Sequence, residues 1–348
     1  MNRQFGAFTG IAMILIVLNH AITFSLEAHA RNGFPEIGEG LLISLSILQA
    51  IGIFAVPIFF FISGSFVSYA AQGDPPRLSS KFIGSSLRHI LIPYIIWSII
   101  FSMVVYFQHH EVYSLSGYIK NILVGYPYHF IPLLITYYIL SPLLVIIVKK
   151  YSLPLLILIG AYQLFTAMAL ASSNLGIGFP AWTSRLLLPV LRTTFADWGI
   201  YFPLGLIYGF QAKKIVPWLK NWRWILIGLT VIFFIFGVFE ANHQINFPYA
   251  RLFVQTTFVL IIPVIPRDQI PWVRQFEKVG KRSYGLYLTH LIILNLTVWL
   301  LQILVPKIIS LPLVVVPLLF VIGFIIPLGV MEYASRSPGR KYYRFIFG

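Results

Sequence analysis

Two histidines stand in stretches of this chain that are otherwise apolar: His20 within 8–26 and His290 within 284–304. Burying an ionisable side chain in hydrocarbon costs several kcal/mol, so each is a candidate for function. Helical spacing puts Thr9, Met13, Ile16, His20, Thr23 and Glu27 on one stripe. Glu27 lies two turns, roughly 10 Å, beyond His20, which leaves room for water or substrate between them. An imidazole can be neutral near pH 7 and act as a general base. It can equally hydrogen-bond across two helices and hold them together. Ser283, His290 and Thr297 recur every seven residues, with Tyr287 one turn before His290. That second stripe suits packing, a proton relay or direct catalysis. Arg185 and Arg192 are also seven apart, with Asp197 nearby. They could form a wall that binds a carboxylate or phosphate. The favoured alternative is an interfacial helix over about 184–195, with the span starting near Trp198. His109, His110 and His129 fit no zinc spacing. There is no Cys, which removes thiolates, disulfides and a cysteine nucleophile.

The elements that must position these groups follow from composition. Of 348 residues, 58% are apolar and 10% charged, and the mean hydropathy is +0.85. A soluble domain is about a quarter charged and keeps a polar shell toward water. Soluble enzyme, disordered chain and disulfide scaffold are therefore excluded. The net charge is +15, but nucleic-acid binding needs basic residues clustered on an exposed face. Here they lie in short groups between long apolar runs, as in polytopic membrane proteins.

A membrane-spanning helix needs about 20 mainly apolar residues. Ten stretches qualify: 8–26, 41–71, 89–107, 128–148, 154–172, 186–210, 224–239, 249–265, 284–304 and 311–331. The sequence therefore predicts an all-α membrane bundle of about ten helices, one domain over 1–348. Pro57 gives the long second stretch a reason to kink. With a cytoplasmic N-terminus, 19 of the 25 Lys and Arg fall inside and 6 outside. That imbalance predicts both termini in the cytoplasm. Arg3, an apolar run and Ala28-His29-Ala30 also resemble a signal peptide, but Phe8 to Leu26 exceeds the usual apolar core of about 7–15 residues. The expectation is an uncleaved first span. Gly6-x-x-x-Gly10 and Gly205-x-x-x-Gly209 are spacings that let helices approach closely. Trp218, Trp222, Trp224 and Tyr249 suit the aromatic belt at the membrane surface.

Several segments, in order, resemble the integral-membrane acyltransferase 3 family, whose members O-acylate sugars of cell-surface polysaccharides. They are Ile11-Ala12-Met13-Ile14-Leu15-Ile16-Val17-Leu18-Asn19-His20, similar to the family's first span ending in its essential histidine, and Val56-Pro57-Ile58-Phe59-Phe60-Phe61-Ile62-Ser63-Gly64. Then come Lys81-Phe82 with Arg88-His89-Ile90-Leu91-Ile92-Pro93-Tyr94 and Trp97, and His129-Phe130-Ile131-Pro132-Leu133-Leu134 with Ser141-Pro142-Leu143. Last is Gly280-Lys281-Arg282-Ser283-Tyr284-Gly285-Leu286-Tyr287-Leu288-Thr289-His290. The set covers nearly the whole chain. The polysaccharide-modifying subgroup linked to intercellular adhesin looks closest. One position departs: Thr9 stands where the family often has Arg, eleven residues ahead of the histidine, and Arg3 is the nearest cation.

The resemblance implies acyl transfer from cytosolic acyl-CoA, most simply acetyl-CoA, to a hydroxyl of a surface polysaccharide or lipid-linked sugar. No metal and no nucleic acid are involved, and membrane lipids surround the protein. It implies His20 as general base, with Tyr287 and His290 as further catalytic residues. Lys81, Arg88, Lys281 and Arg282 would hold the CoA phosphates, though basic residues at a cytoplasmic mouth are also explained by topology. Ser63, Arg192 and Glu27 would contact substrate, and Ser63, Arg88 and Arg192 are also candidates, like Tyr287, to stabilise an oxyanion. Without Cys, transfer is direct or passes through acyl-Ser or acyl-His. The rival class is a transporter or flippase for a glycan or lipid-linked sugar, and a weaker one is a structural subunit of a polysaccharide synthase.

Overall fold

A computed structural model describes residues 3–171, 179–242, 244–247 and 249–348. Thirteen α-helices follow one another among these residues: α1 (Arg3–Arg31), α2 (Glu39–Ile51), α3 (Ala55–Ala70), α4 (Ser80–His109), α5 (Leu115–Val124), α6 (Phe130–Leu170), α7 (Arg192–Trp198), α8 (Tyr201–Ala241), α9 (Ala250–Ile261), α10 (Val273–Gly280), α11 (Ser283–Leu304), α12 (Pro312–Arg336) and α13 (Tyr343–Phe347). The described residues contain no strand, only an isolated bridge between Gln72 and Arg77. The protein is an all-α, multi-pass membrane bundle.

Among the described residues, seven helical stretches are long and apolar enough to cross a membrane. Two of them, α6 and α8, have 41 residues each. A straight helix of that length would run about 60 Å, twice the hydrocarbon thickness of about 30 Å. Each is broken by one non-helical residue, Tyr151 in α6 and Gln211 in α8. Tyr151 falls between the expected spans 128–148 and 154–172, so α6 carries both. The expected span 249–265 corresponds to the shorter apolar helix Ala250–Val264.

The sixth stretch differs from its predicted 186–210. The chain makes a 3-10 turn at Ala181–Leu186, then the seven-residue α7, and turns at Gly199 and Ile200 into α8. Pro189 lacks an N–H and steers Leu188 away from helical geometry, so no helix runs through it. In the second stretch a 3-10 segment, Gly52–Phe54, stands one turn before Pro57 between α2 and α3. Pro57 cannot donate to the carbonyl one turn back, which frees the backbone there. The end of 154–172 and the first part of the expected loop 173–185 lie outside the described residues.

The helices form two compact units, Met1–Ala55 with His89–Ile119 and Trp272–Gly348, and Val56–Arg88 with Lys120–Pro271. In the first, α1 packs on α10, α11 and α12. The α1–α10 contact is backbone on backbone: a Cβ at Gly10 would land on the Phe276 carbonyl, and one at Gly280 on the Gly6 carbonyl. Gly6 and Gly10 thus serve the close approach their spacing predicts. Ala21, Leu294, Val315 and Leu319 form the core between α1, α11 and α12. Tyr284 donates to the Ile90 carbonyl at 2.7 Å, tying α4 to the start of α11, and Trp97 Nε1 donates to the Ile346 carbonyl at 2.7 Å, tying α13 to α4.

In the second unit α3 crosses α8 in the same manner, with Gly64 against the Phe202 carbonyl and Gly205 against the Phe61 carbonyl. The turn between α7 and α8 leaves backbone groups without helical partners, and buried Gln163 supplies two. Its amide nitrogen donates to the Ala196 carbonyl at 2.9 Å, and its oxygen accepts from the Ile200 N–H at 2.7 Å. The breaks in the two long helices are joined as well, since Gln211 donates to Ser152 at 3.0 Å. Trp218, Trp222 and Trp224 are exposed, with the Arg223 guanidinium 5.0 Å from the Trp224 ring. That is how an interface belt is built.

Candidate functional site

The site lies in the first unit, where the two predicted polar stripes meet. His20 is half-buried on α1. Its ring centre is 5.3 Å from that of His290 on α11, at 44°. The Tyr287 ring is 5.6 Å from His290. One turn of α11 therefore sets a tyrosine beside His290, whose ring approaches the histidine of α1.

His290 is wholly buried. Its Nδ1 is 3.1 Å from the Leu286 carbonyl oxygen. A carbonyl only accepts, so Nδ1 carries the proton, and in the neutral ring Nε2 is a bare acceptor. Nε2 is sealed from solvent and has no hydrogen-bond partner among the described residues.

The segment around His20 is fixed by α2. Asn19 donates to the Gln49 carbonyl at 2.9 Å, and the Gln49 amide donates to Thr23 at 2.8 Å. Thr23 in turn donates to the Asn19 carbonyl at 3.0 Å. This clamp holds the residues on either side of His20. It depends on Gly52, where any Cβ would meet the Asn19 side chain at 2.8 Å. Gln49 and Gly52 were missed by sequence reasoning. Gln49 is the one amide side chain in the 41–71 run, and a lone amide in such a run has to find a partner inside protein.

The remaining predicted residues are placed elsewhere. Glu27 is exposed and pairs with Arg31 at 3.3 Å. Exposed Lys281 pairs with Glu277 at 3.2 Å, and half-buried Arg282 pairs with Glu332, which also takes Arg336. These flank the start of α11. Ser63, Lys81, Arg88 and Arg192 belong to the second unit. There Ser63 is half-buried on α3, while Lys81 and Arg88 on α4 and Arg192 at the start of α7 are exposed. Thr9 is buried and donates to the Phe5 carbonyl of its own helix at 2.8 Å, while Arg3 is exposed.

Apolar helices long enough to cross a membrane, with a pair of imidazoles facing each other in their interior, define a multi-pass membrane protein with a polar centre. The chain belongs to the family described as "Acyltransferase domain", whose model matches residues 7–332. It is therefore an acyltransferase-family membrane protein. The chain is also similar to the "Probable poly-beta-1,6-N-acetyl-D-glucosamine export protein" of Staphylococcus aureus strain MSSA476. The identity is 22% over 362 residues, covering 97% of this chain and 93% of the relative. The protein of the same name from strain MW2 matches to the same extent. No solved structure matches the chain.

Proposed function

We propose that this protein transfers an acyl group, acetyl in the simplest case, from cytosolic acyl-CoA to a hydroxyl of a cell-surface glycan or lipid-linked sugar. His20 is the general base. The observation that carries the reading is the convergence of His20, Tyr287 and His290 inside an acyltransferase-family bundle. A sugar hydroxyl is a weak nucleophile. A ring nitrogen of His20 takes its proton as the oxygen attacks the thioester carbonyl, a step worth about 10²–10⁴-fold. The tetrahedral oxyanion needs a donor aimed at it, and the Tyr287 hydroxyl fills that role. Collapse breaks the C–S bond, and the His20 imidazolium returns the proton to the departing thiolate. The products are the sugar ester and free CoA. Direct transfer of this kind needs no cysteine.

The secondary roles rest on charge. Lys81, Arg88, Lys281 and Arg282 attract the CoA phosphates, because charge-assisted hydrogen bonds to phosphate are the strong ones. Ser63, Arg192 and Glu27 offer polar contacts to substrate. Arg88→Glu is expected to raise the KM for acetyl-CoA several-fold, whereas Lys150→Glu, beside the Tyr151 ring, leaves it near wild type. Equal effects from the two reversals would remove Arg88 from the donor site.

Sidedness follows from the basic residues, so tags fused ahead of residue 1 and after residue 348 should both report the cytoplasm. A tag within 27–40 should report the outside. An outside signal from either terminus would reverse the donor and acceptor faces.

The relatives' name speaks of export, which favours a second reading, translocation of a glycan without chemistry. Purified protein in liposomes, given acetyl-CoA and a β-1,6-linked N-acetylglucosamine pentamer, separates the two. Acyl transfer yields a pentamer heavier by whole acetyl groups, removable by mild base. Pentamer that crosses the bilayer unmodified, with no CoA released, would establish export instead.

A further inference from the structure

We infer that His290 is a specificity residue: its Nε2 receives a second hydroxyl of the acceptor, adjacent to the one that reacts. The acceptor is then a sugar with two neighbouring free hydroxyls. This deepens the acyl-transfer reading above and rests on it.

Three observations lead here. Nε2 of His290 is fully buried and unpartnered, while Nδ1 is committed to the Leu286 carbonyl. A buried acceptor left bare costs free energy until a donor arrives, so such an atom calls for a partner. The ring also cannot turn to use its other nitrogen without giving up the bond to Leu286. Next, the donor has to enter beside His20, whose ring is 5.3 Å away and only half-buried. Finally, the chemistry at Nε2 is selective. A lone pair on a neutral imidazole takes an O–H or N–H and gives nothing to a carboxylate or phosphate oxygen.

Two imidazoles at this separation can be bridged by hydroxyls on neighbouring ring carbons. One hydroxyl gives its proton to His20 and attacks. The other keeps its proton, donates a hydrogen bond to His290 Nε2, and fixes which oxygen faces the thioester. No bond to the second hydroxyl forms or breaks. His290 therefore acts on choice of acceptor and on orientation.

The β-1,6-linked N-acetylglucosamine pentamer suits the test, because each interior residue has two free hydroxyls, at C3 and C4, and they are adjacent. The site of the ester is first mapped in the wild-type product. The decisive acceptor is then the deoxy pentamer that keeps the reacting hydroxyl and lacks its neighbour. Wild-type protein should favour the full pentamer by roughly 10–100-fold in kcat/KM, the loss expected when a buried acceptor is left unpaired.

His290→Leu should slow the full pentamer far more than the deoxy pentamer, so that the two acceptors are used at about the same rate. His290→Gln, whose carbonyl oxygen also accepts, should retain most of the preference. Both variants are checked by thermal unfolding in detergent before assay. Equal use of the two pentamers by wild-type protein would overturn the assignment without needing any variant. So would a His290→Leu variant that slows both acceptors by the same factor, which marks a structural or proton-relay role. Ester on neither acceptor with wild-type protein would overturn the acyl-transfer reading itself, and this inference with it.

Discussion

His20→Ala is expected to abolish acyl transfer while yield, membrane insertion and thermal unfolding stay at wild-type values. A positioned base contributes about 10²–10⁴-fold, so ester formation should fall to background. The structure explains why folding is spared. Hydrogen bonds through Asn19, Thr23 and Gln49 hold the stretch on either side of the imidazole to α2, and the substitution leaves all three side chains in place. His20→Gln separates base from glue, because glutamine keeps a hydrogen-bonding amide but cannot take up a proton near pH 7. A hydrogen bond between helices in a membrane is worth about 1 kcal/mol, so a glue role would let glutamine restore most activity. A base role leaves the glutamine variant nearly as inactive as alanine. The rate of acetylated pentamer formation decides it, and a wild-type rate from His20→Gln would remove the base assignment.

Gly10→Ala is expected to cost folded protein as well as activity. The added Cβ would fall on the Phe276 carbonyl, with the Gly280 nitrogen close behind. Both neighbours are backbone, so no side chain can swing away, and α1 and α10 must separate. Overpacking typically costs about 1–3 kcal/mol, and a backbone neighbour puts this case at or above the top of that range. The damage reaches the site because α10 leads directly into α11, which carries Tyr287 and His290. Gly228→Ala is the control: nothing lies within 4 Å of its Cβ position. Replacing a mid-helix glycine there should be neutral or stabilising by up to about 1 kcal/mol. Unfolding midpoints in detergent and yields after extraction measure the difference, and equal midpoints for the two variants would refute the close helix crossing.

The spans were legible because hydrocarbon sets their length and strips them of charge. They are local properties that a window along the chain detects. Where the reading slipped, the cause was local backbone geometry that composition does not carry. The stretch 186–210 is apolar throughout most of its length, yet Pro189 and the turn at Gly199 divide it, and Gln163 from a distant helix satisfies the exposed backbone groups. The long helices α6 and α8 run past the expected span ends, because each joins two helical segments across one non-helical residue, Tyr151 or Gln211.

The candidate site divides in the same way. The stripes through His20 and through Tyr287 and His290 were visible, since each residue turns about 100° around a helix and spacing fixes which side chains share a face. That the two stripes face each other was not visible. It depends on contacts between residues 10 and 276, and between α11 and both α1 and α12, that no local pattern encodes. Lys281 and Arg282 were legible as basic residues before α11, but their ion pairs with Glu277 and Glu332 were not. The Gln49 clamp joins residues from two different spans and needed both in place.

The sequence by itself determined an all-helical membrane protein, its glycine contact points and the inward polar stripes, because helix periodicity and the bilayer act on short stretches of chain. Only the tertiary structure decided that His20 meets His290, and that Leu286 takes one nitrogen of His290 and leaves the other bare. Pairing of helices is a balance of packing among residues hundreds of positions apart, and a hydrogen-bond acceptor is free or taken only once all its neighbours are in place.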